Sequence, residues 1–416
     1  MEQIKLLKEN IERKFGSTID DVATLKRLLA SINKNADVEL SYNTLRRFFG
    51  FLPSTKPNIN TLNSFSQYLD FKDFHAFSNQ FHFPNWENWL YVLRLKQQKE
   101  ITTEVIPILN RQLQNMYFAL YFIDLVTHFM NQKNRTACLI LFEVDIDKMV
   151  RSEQLKICLA IGLTLRQFYK KDKDFIISLL INPRFRRTIV YNFIDYTSFN
   201  IGYMELIEQS ILTEKTEEHL LFLNLLTKYH SFLNSELKAT LRLSKSYDLE
   251  GVFPIVQGRY YANLLYSSSG DEQEIIFEEL LTFCKSTNRS EFFFELIPTL
   301  LLLQRIDWIA TIFNKYHKEI FEINEFNKLT HLGIFQIAQA LLFIKNGNYK
   351  KATIELNKVN PYLAFDSYID YIKLFYLIAE YHLKHEQKLI KEQYIQLTNK
   401  VGFKIFNVEF LEHYFE

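Results

Sequence analysis

The amino-acid sequence predicts an all-α protein, and three observations lead to that prediction. Only 10 glycines and 8 prolines occur among 416 residues, whereas sandwiches, barrels and parallel α/β folds need such residues at frequent turns. Apolar residues recur three or four positions apart, which is the spacing of one helix face. Short polar breaks, rather than long linkers, separate these stretches.

The composition is typical of a globular protein in a reducing compartment. Hydrophobic residues make up 48% and aromatic residues 15% of the chain, which excludes a disordered protein. With 49 Lys and Arg against 48 Asp and Glu, any charged site must be local. Cys138, Cys158 and Cys284 lie far apart in apolar stretches, as buried thiols do. Since neither a secretion signal nor a membrane-spanning stretch is recognisable, we expect a cytoplasmic protein without membrane contact.

The first eighty residues carry the patterns of five short helices. Apolar side chains at helical spacing, such as Val22, Leu25 and Leu29, define their inner faces. In the third helix, Ser41 stands at the N-cap and Gly50 stands where the helix should end. The expected helices cover residues 4–15, 22–32, 41–49, 60–69 and 73–81.

This order of helices resembles the helix-turn-helix domain of phage-repressor type regulators. The pattern that carries the resemblance is leucine-serine-x-x-threonine-leucine, then glycine, then a threonine-leucine helix, within about residues 1–80. The resemblance implies that 22–32 is the supporting helix and that 41–49 enters the major groove. Asn and Arg can contact adenine and guanine edges through paired hydrogen bonds. The DNA-binding residues it implies are Ser41, Tyr42, Asn43, Arg46 and Arg47.

Two features of this segment depart from that family. The connection at 33–40 is longer than the usual tight turn, and its Asp37 and Glu39 would repel phosphate unless they point away. Residues 1–82 carry 11 Lys and Arg and 9 Asp and Glu, a net charge of only +2, whereas DNA-binding domains usually have a stronger basic footprint. The alternative interpretation is that Arg46 and Arg47 solvate a helix face or pair with nearby carboxylates.

A second domain of stacked helices is predicted for residues 86–416, after a boundary at 82–85. One stretch, QIAQALLFIKNGNYKKATIELNKVNP, resembles a tetratricopeptide repeat, in which small residues let paired helices approach and a tyrosine fills the gap between them. The residues that carry this resemblance are Ala338, Leu341, Gly347, Tyr349, Ala352, Leu356 and Pro361. Other units match only as helix, break and helix. We therefore expect an α-solenoid of tetratricopeptide-like helical hairpins, with an irregular helical bundle as the alternative.

The common motifs of catalysis and metal binding are missing from the sequence. No glycine-rich phosphate loop and no H-E-x-x-H motif occurs. His382 and His385 lie three positions apart beside Glu386, but no third ligand is recognisable, so an exposed polar face is the better interpretation. We expect no enzyme activity, no cofactor and no metal.

Two groups of residues are candidates for binding a partner. Arg184, Arg186 and Arg187 follow Pro183 and could bind phosphate, nucleic acid or an acidic peptide. Alternatively they begin a solvated helix and pair with Asp195 or another carboxylate. The second group lies in tyrosine-rich helices that could line a concave groove for a peptide, with core packing as the alternative. Its members are Arg259, Tyr260 and Tyr371.

Two functions are compatible with this sequence. A helix-turn-helix head on a tetratricopeptide-like body resembles the peptide-sensing transcription regulators. That resemblance implies double-stranded DNA and a peptide or protein effector as partners, and paired heads in a homodimer. The alternative is an interaction scaffold that does not bind DNA.

Overall fold

The computed structural model is all-helical over the residues that it describes. These are residues 2–35, 40–53, 57–80, 86–115, 117–169, 171–236, 241–244, 246–284, 289–322, 328–384 and 387–416. No strand occurs within these ranges, so the prediction of an all-α protein is confirmed. The chain divides into two compact units, Met1–Ile157 and Cys158–Glu416. The boundary predicted at residues 82–85 falls within the first unit and lies outside the described residues.

The first unit contains a series of short and medium-length helices, and the unit boundary falls inside the last of them. They are α1 (Glu2–Phe15), α2 (Val22–Asn35), α3 (Tyr42–Phe49), α4 (Ile59–Tyr68), α5 (Phe74–Gln80), α6 (Trp86–Gln97), α7 (Val105–Asn110), α8 (Phe118–Asn131), α9 (Arg135–Leu141) and α10 (Arg151–Arg166).

Helices α1 to α5 share one hydrophobic core. Helix α2 packs on α3 and α4, and α4 also packs on α1 and α5. At the centre, the ring centroids of Phe48 and Phe65 lie 4.1 Å apart. The buried core residues are Leu7, Ile11, Ile19, Leu25, Leu28, Ile32, Leu40, Leu45, Phe48, Leu62, Phe65, Tyr68 and Phe77. The helical spacing in the sequence therefore predicted most of these inner faces. Val22, expected on the inner face of α2, was predicted wrongly, because it is the first residue of that helix and is 48% exposed.

The second unit consists of helices that follow one another along the chain. They are α11 (Lys173–Leu179), α12 (Pro183–Phe185), α13 (Met204–Thr213), α14 (Glu217–Leu233), α15 (Pro254–Ser267), α16 (Asp271–Phe283), α17 (Arg289–Leu302), α18 (Ile306–Phe321), α19 (Lys328–Lys345), α20 (Tyr349–Leu356), α21 (Ile369–Leu383), α22 (Gln387–Val401) and α23 (Val408–Glu412). Two π-helical segments, Arg186–Val190 and Phe199–Tyr203, lie before α13.

Helices α15, α17, α19 and α21 form the inner series of this unit, because each packs on the next. The alternate helices lie beside them: α16 packs on α15, α18 packs on α17 and α19, and α20 packs on α19 and α21. The crossing of α15 and α17 is especially close. A Cβ atom at Gly258 would lie 2.2 Å from the backbone oxygen of Phe292, so only glycine fits at this crossing.

Backbone hydrogen bonds join the beginning and the end of the second unit. The Thr197 amide donates to the Ser367 carbonyl at 3.2 Å, and the Ile405 amide donates to the Leu233 carbonyl at 3.0 Å. The Asn200 side chain donates to the Val401 carbonyl at 3.0 Å. Segments that lie about 170 to 200 positions apart in the sequence are thereby held together.

The stretch that resembles a tetratricopeptide repeat forms the pair α19 and α20. Gly347 takes a φ of 70° in the turn between them, and Ala338 and Ala352 are buried where the helices pack. Tyr349 does not fill a gap between the helices, because it is the first residue of α20 and is 54% exposed. The small residues therefore take the expected places, whereas the tyrosine does not.

Candidate functional site

Helix α3 is a short helix with a defined beginning and end. The Thr44 amide donates to Ser41 Oγ at 3.1 Å, which is the N-cap bond expected from the sequence. At the other end, Gly50 takes a φ of 86° and its amide donates a hydrogen bond to the Arg47 carbonyl. The Phe51 amide donates to the Arg46 carbonyl at 2.8 Å. These two bonds form a Schellman motif, which fixes the last turn of α3.

One face of α3 is free of the core. Leu45 and Phe48 are buried, whereas Ser41, Asn43 and Arg47 are exposed. Asn43 and Arg47 are four positions apart, so their side chains lie on the same side of the helix. An amide and a guanidinium at this spacing present the hydrogen-bonding groups that read adenine and guanine edges.

Tyr42 and Arg46 are less exposed than the other predicted DNA-binding residues. Both are half-buried, and the Arg46 guanidinium carbon lies 5.6 Å from the centroid of the Tyr42 ring. Arg46 Nε is buried without a hydrogen-bond partner among the described residues. The ring partly covers the cation, so Arg46 presents less of its guanidinium to solvent than Arg47 does.

The side chain of Asn33 fixes the position of α3 relative to α2. Its amide nitrogen donates to the Leu40 carbonyl at 3.1 Å, and its oxygen accepts from the Leu40 amide at 2.9 Å. Asn33 thereby joins the last turn of α2 to the residue before the α3 cap. Asp37 and Glu39, which the sequence singled out as potentially repulsive, lie outside the described residues.

A cavity of about 530 Å³ in the second unit brings two of the predicted arginines together. It is lined by Ile181, Pro183, Arg186, Arg187, Leu212, Thr213, Glu214, Lys215 and Thr216. Arg186 is buried, Arg187 is exposed, and Arg184 lies outside the lining. The apolar rim formed by Ile181 and Leu212 is exposed to solvent. The cavity therefore combines cationic and apolar walls.

Glu214 is the carboxylate that balances these cations. Its Oε2 lies 3.6 Å from Arg186 Nε, and its Oε1 lies 3.7 Å from Arg187 Nη2. Burial alone would raise the pKa of Glu214, but hydrogen bonds from the Thr216 amide and the Tyr191 hydroxyl lower it to about 2. The carboxylate is therefore ionised at neutral pH. Asp195, the partner that the sequence suggested for the arginines, pairs instead with Arg166 at 2.7 Å.

The other predicted partner-binding residues lie inside the second unit. Arg259 Nη2 is 2.7 Å from Glu295 Oε2, and both side chains are 5% exposed. The Tyr368 hydroxyl donates to Glu295 Oε1 at 3.2 Å. The Tyr196 hydroxyl donates to Glu295 Oε2 at 3.4 Å. Although burial opposes the charge of Arg259, the Glu295 carboxylate raises the pKa of the guanidinium.

Tyrosine rings enclose this buried ion pair. Tyr196 stacks on Tyr371 with centroids 4.6 Å apart, and the Tyr371 hydroxyl is hydrogen-bonded to that of Tyr229. Tyr260 is also buried. Arg259, Tyr260 and Tyr371 are all buried and therefore belong to the core rather than to an accessible groove.

Sequence reasoning missed the two glutamates that complete these clusters. Glu295 had a visible signal, since it is a single charge within the apolar run FFFELIPTLLL. A charge in such a run needs a buried partner. Glu214 had no such signal, because its local sequence, LTEKTEEH, is typical of a solvated helix start.

The three cysteines and His382 pack or form hydrogen bonds within the fold. All three cysteines are buried thiols, as predicted, and burial raises the pKa of Cys138 to about 12. His382 Nε2 lies 2.8 Å from the Leu411 carbonyl, while His385 and Glu386 lie outside the described residues. Within the described ranges, no three His, Cys, Asp or Glu side chains are grouped as metal ligands, and no helix is long and apolar enough to cross a membrane.

Comparison with protein-family models, with curated proteins and with solved structures found no match to this chain. The α3 face and the cavity beside Arg186 and Arg187 are therefore the two candidate sites of this protein.

Proposed function

We propose that this protein is a DNA-binding transcription regulator whose body, an α-solenoid of tetratricopeptide-like hairpins, binds a peptide or protein effector. The observation that carries the proposal is the exposed face of α3. Asn43 and Arg47 lie side by side there, on a helix whose cap, last turn and connection to α2 are all fixed by hydrogen bonds. A helix held in this way can enter a major groove with its N-terminal residues toward the bases.

The DNA half of the proposal is tested by the salt dependence of binding. We expect the purified protein to bind a pool of duplex DNA with an affinity that falls steeply as salt rises, because phosphate contacts release counterions. Arg47→Ala should weaken binding, and if Arg47 contacts phosphate it should reduce the slope by about one. Arg111→Ala, which removes an exposed arginine outside α1 to α5, should leave the affinity and its salt dependence unchanged. No binding at low salt would favour the interaction scaffold.

The effector half of the proposal places an acidic peptide in the cavity beside Arg186 and Arg187. Two arginines and Lys215 face one buried carboxylate, so the walls carry an excess of positive charge. The exposed Ile181 and Leu212 can cover apolar side chains of the same ligand. The cavity is large enough for a few peptide side chains rather than for a single ion.

A displayed library of acidic peptides tests this site. Peptides that the protein enriches should bind Arg187→Glu at least tenfold more weakly, because the charge at the cavity is reversed. Arg184→Glu makes the same charge change on the neighbouring turn, outside the cavity lining, and should alter binding less than twofold. Equal losses in both variants would contradict the assignment of the cavity.

A further inference from the structure

Two helices of the second unit, α16 and α20, each expose an isoleucine to solvent. Ile275 in α16 is 60% exposed, and Ile354 in α20 is 52% exposed. Both helices also have an apolar face that is buried, which includes Phe277 in α16 and Leu356 in α20. A single exposed isoleucine is common on protein surfaces, so the charged residues around each isoleucine decide what the surface can bind.

The exposed face of α16 is acidic. The helix contains no basic residue, and its acidic residues are Asp271, Glu272, Glu274, Glu278 and Glu279. Glu272 pairs with Arg242 at 2.7 Å, whereas Asp271 and Glu279 have no ion-pair partner among the described residues. Asp271, Ile275 and Glu279 are exposed and follow one another at intervals of four positions. They therefore lie in one row along the helix, which we call the acidic row.

The exposed face of α20 has the same spacing with the opposite charge. Lys350, Ile354 and Lys358 are exposed and also follow one another at intervals of four positions; we call them the basic row. Lys350 has no ion-pair partner among the described residues. The Lys358 ammonium lies 2.7 Å from Glu355 Oε1, and its side chain is 49% exposed. Although α20 ends at Leu356, the Lys358 amide still donates to the Glu355 carbonyl at 3.1 Å, so the following turn continues the row.

We propose that the acidic row of one copy of this chain packs against the basic row of a second copy, with the two helices antiparallel. Ile275 then covers Ile354, and Glu279 faces Lys350. The antiparallel orientation also places the opposite ends of the two helix dipoles side by side. Two such contacts, related by a two-fold axis, close a dimer. The contact involves neither α3 nor the cavity described above, so it does not depend on the proposed function.

The partner is a second copy because the chain itself supplies both halves of the contact. An isoleucine with an acid four positions before it and another four positions after it is matched by an isoleucine between two lysines at the same spacing. Each isoleucine loses its contact with water, while each charge meets its opposite. Two acidic rows would repel each other, so the charges also decide which helix meets which.

Sedimentation equilibrium of the full chain at increasing protein concentration tests this contact. We expect a reversible equilibrium between monomer and dimer that weakens as salt rises, because salt screens exposed charge pairs. Glu279→Lys and Lys350→Glu should each weaken association at least tenfold, since like charges then face each other in both contacts. An equimolar mixture of these two variants should associate as the wild type does, because each reversed charge meets a reversed partner. Glu208→Lys, at an exposed position of α13, is the control and should leave association unchanged.

Three outcomes would overturn the proposal. A monomer at low salt over the whole concentration range would show that the two rows do not pair. Association that neither charge reversal weakens would place the contact between copies elsewhere. A mixture of the two variants that fails to associate would show that Glu279 and Lys350 do not face each other. Ile354→Ser supplies a second check that does not alter charge, because it should weaken association at low and at high salt while the melting temperature stays that of the wild type.

Discussion

Buried charges in the second unit are stabilised by specific partners. Substitution of a single partner should therefore lower the stability of the fold. Glu214 accepts hydrogen bonds from two backbone amides and the Tyr191 hydroxyl. Glu295 pairs with Arg259 in the interior. In both cases the carboxylate offsets a cation that burial would otherwise destabilise.

The Glu214 cluster predicts an acid-sensitive contribution to stability. The pKa of Glu214 is about 2 in the folded chain and about 4.3 in an unfolded one. Its contribution is therefore complete above about pH 4.3 and disappears as the pH falls toward 2. Glu214→Gln should lower the free energy of unfolding at pH 7 but have little effect near pH 2.5. Urea titrations at both pH values measure this, with Glu208→Gln, at an exposed position of α13, as control.

The buried pair of Arg259 and Glu295 predicts a large loss of stability when one partner is replaced. Replacing both partners should reduce that loss. Glu295→Gln leaves the buried guanidinium without its counter-charge and should cost about 3–5 kcal/mol of the free energy of unfolding. The double variant Arg259→Met with Glu295→Gln should recover part of that loss, because no unpaired charge remains. Urea unfolding of both variants checks the prediction. A loss below about 1 kcal/mol in Glu295→Gln alone would show that the pair is not needed.

At the scale of the elements, the sequence predicted helix ends where a side chain or a glycine supplies the terminal hydrogen bond. Ser41 and Gly50 bound α3 as expected. Helix α4 begins earlier than predicted, at Ile59, because Asn58 Oδ1 accepts from the Thr61 amide at 2.8 Å. Asn58 lies in a polar loop close to Asn60 and Thr61, which are also capping residues. Such errors of one or two residues arise where several capping residues adjoin.

Close helix crossings could not be predicted, since glycines with different roles look alike in the sequence. Gly258→Ala would place a Cβ 2.2 Å from the Phe292 backbone oxygen and should cost about 3 kcal/mol or more, because two backbones must separate. Gly333→Ala, in α19, meets nothing within 4 Å and should stabilise the protein by up to about 1 kcal/mol. Melting temperatures of the two variants should therefore shift in opposite directions. A similar shift in both would contradict the close crossing.

At the scale of the whole molecule, the fold class followed from the sequence but the closure of the second unit did not. Helical periodicity is a local property, so it predicted helices throughout. The hydrogen bonds of Thr197 to Ser367 and of Asn200 to Val401 join segments that are distant in the sequence. No pattern in the local sequence of either segment predicts them. Arg259 and Tyr371, predicted to line a groove, lie in the core. The α3 residues were easier to place, because their exposure follows from one amphipathic helix.

Selection from a randomised duplex pool tests whether α3 reads DNA sequence. The wild-type protein should enrich a common motif, and Asn43→Ala should bind the same pool with the preference for one base pair lost, since the side-chain amide supplies a paired contact. Arg111→Ala should enrich the wild-type motif. If the wild-type protein enriches no motif, or if Asn43→Ala enriches the same one unchanged, α3 is not the reading helix.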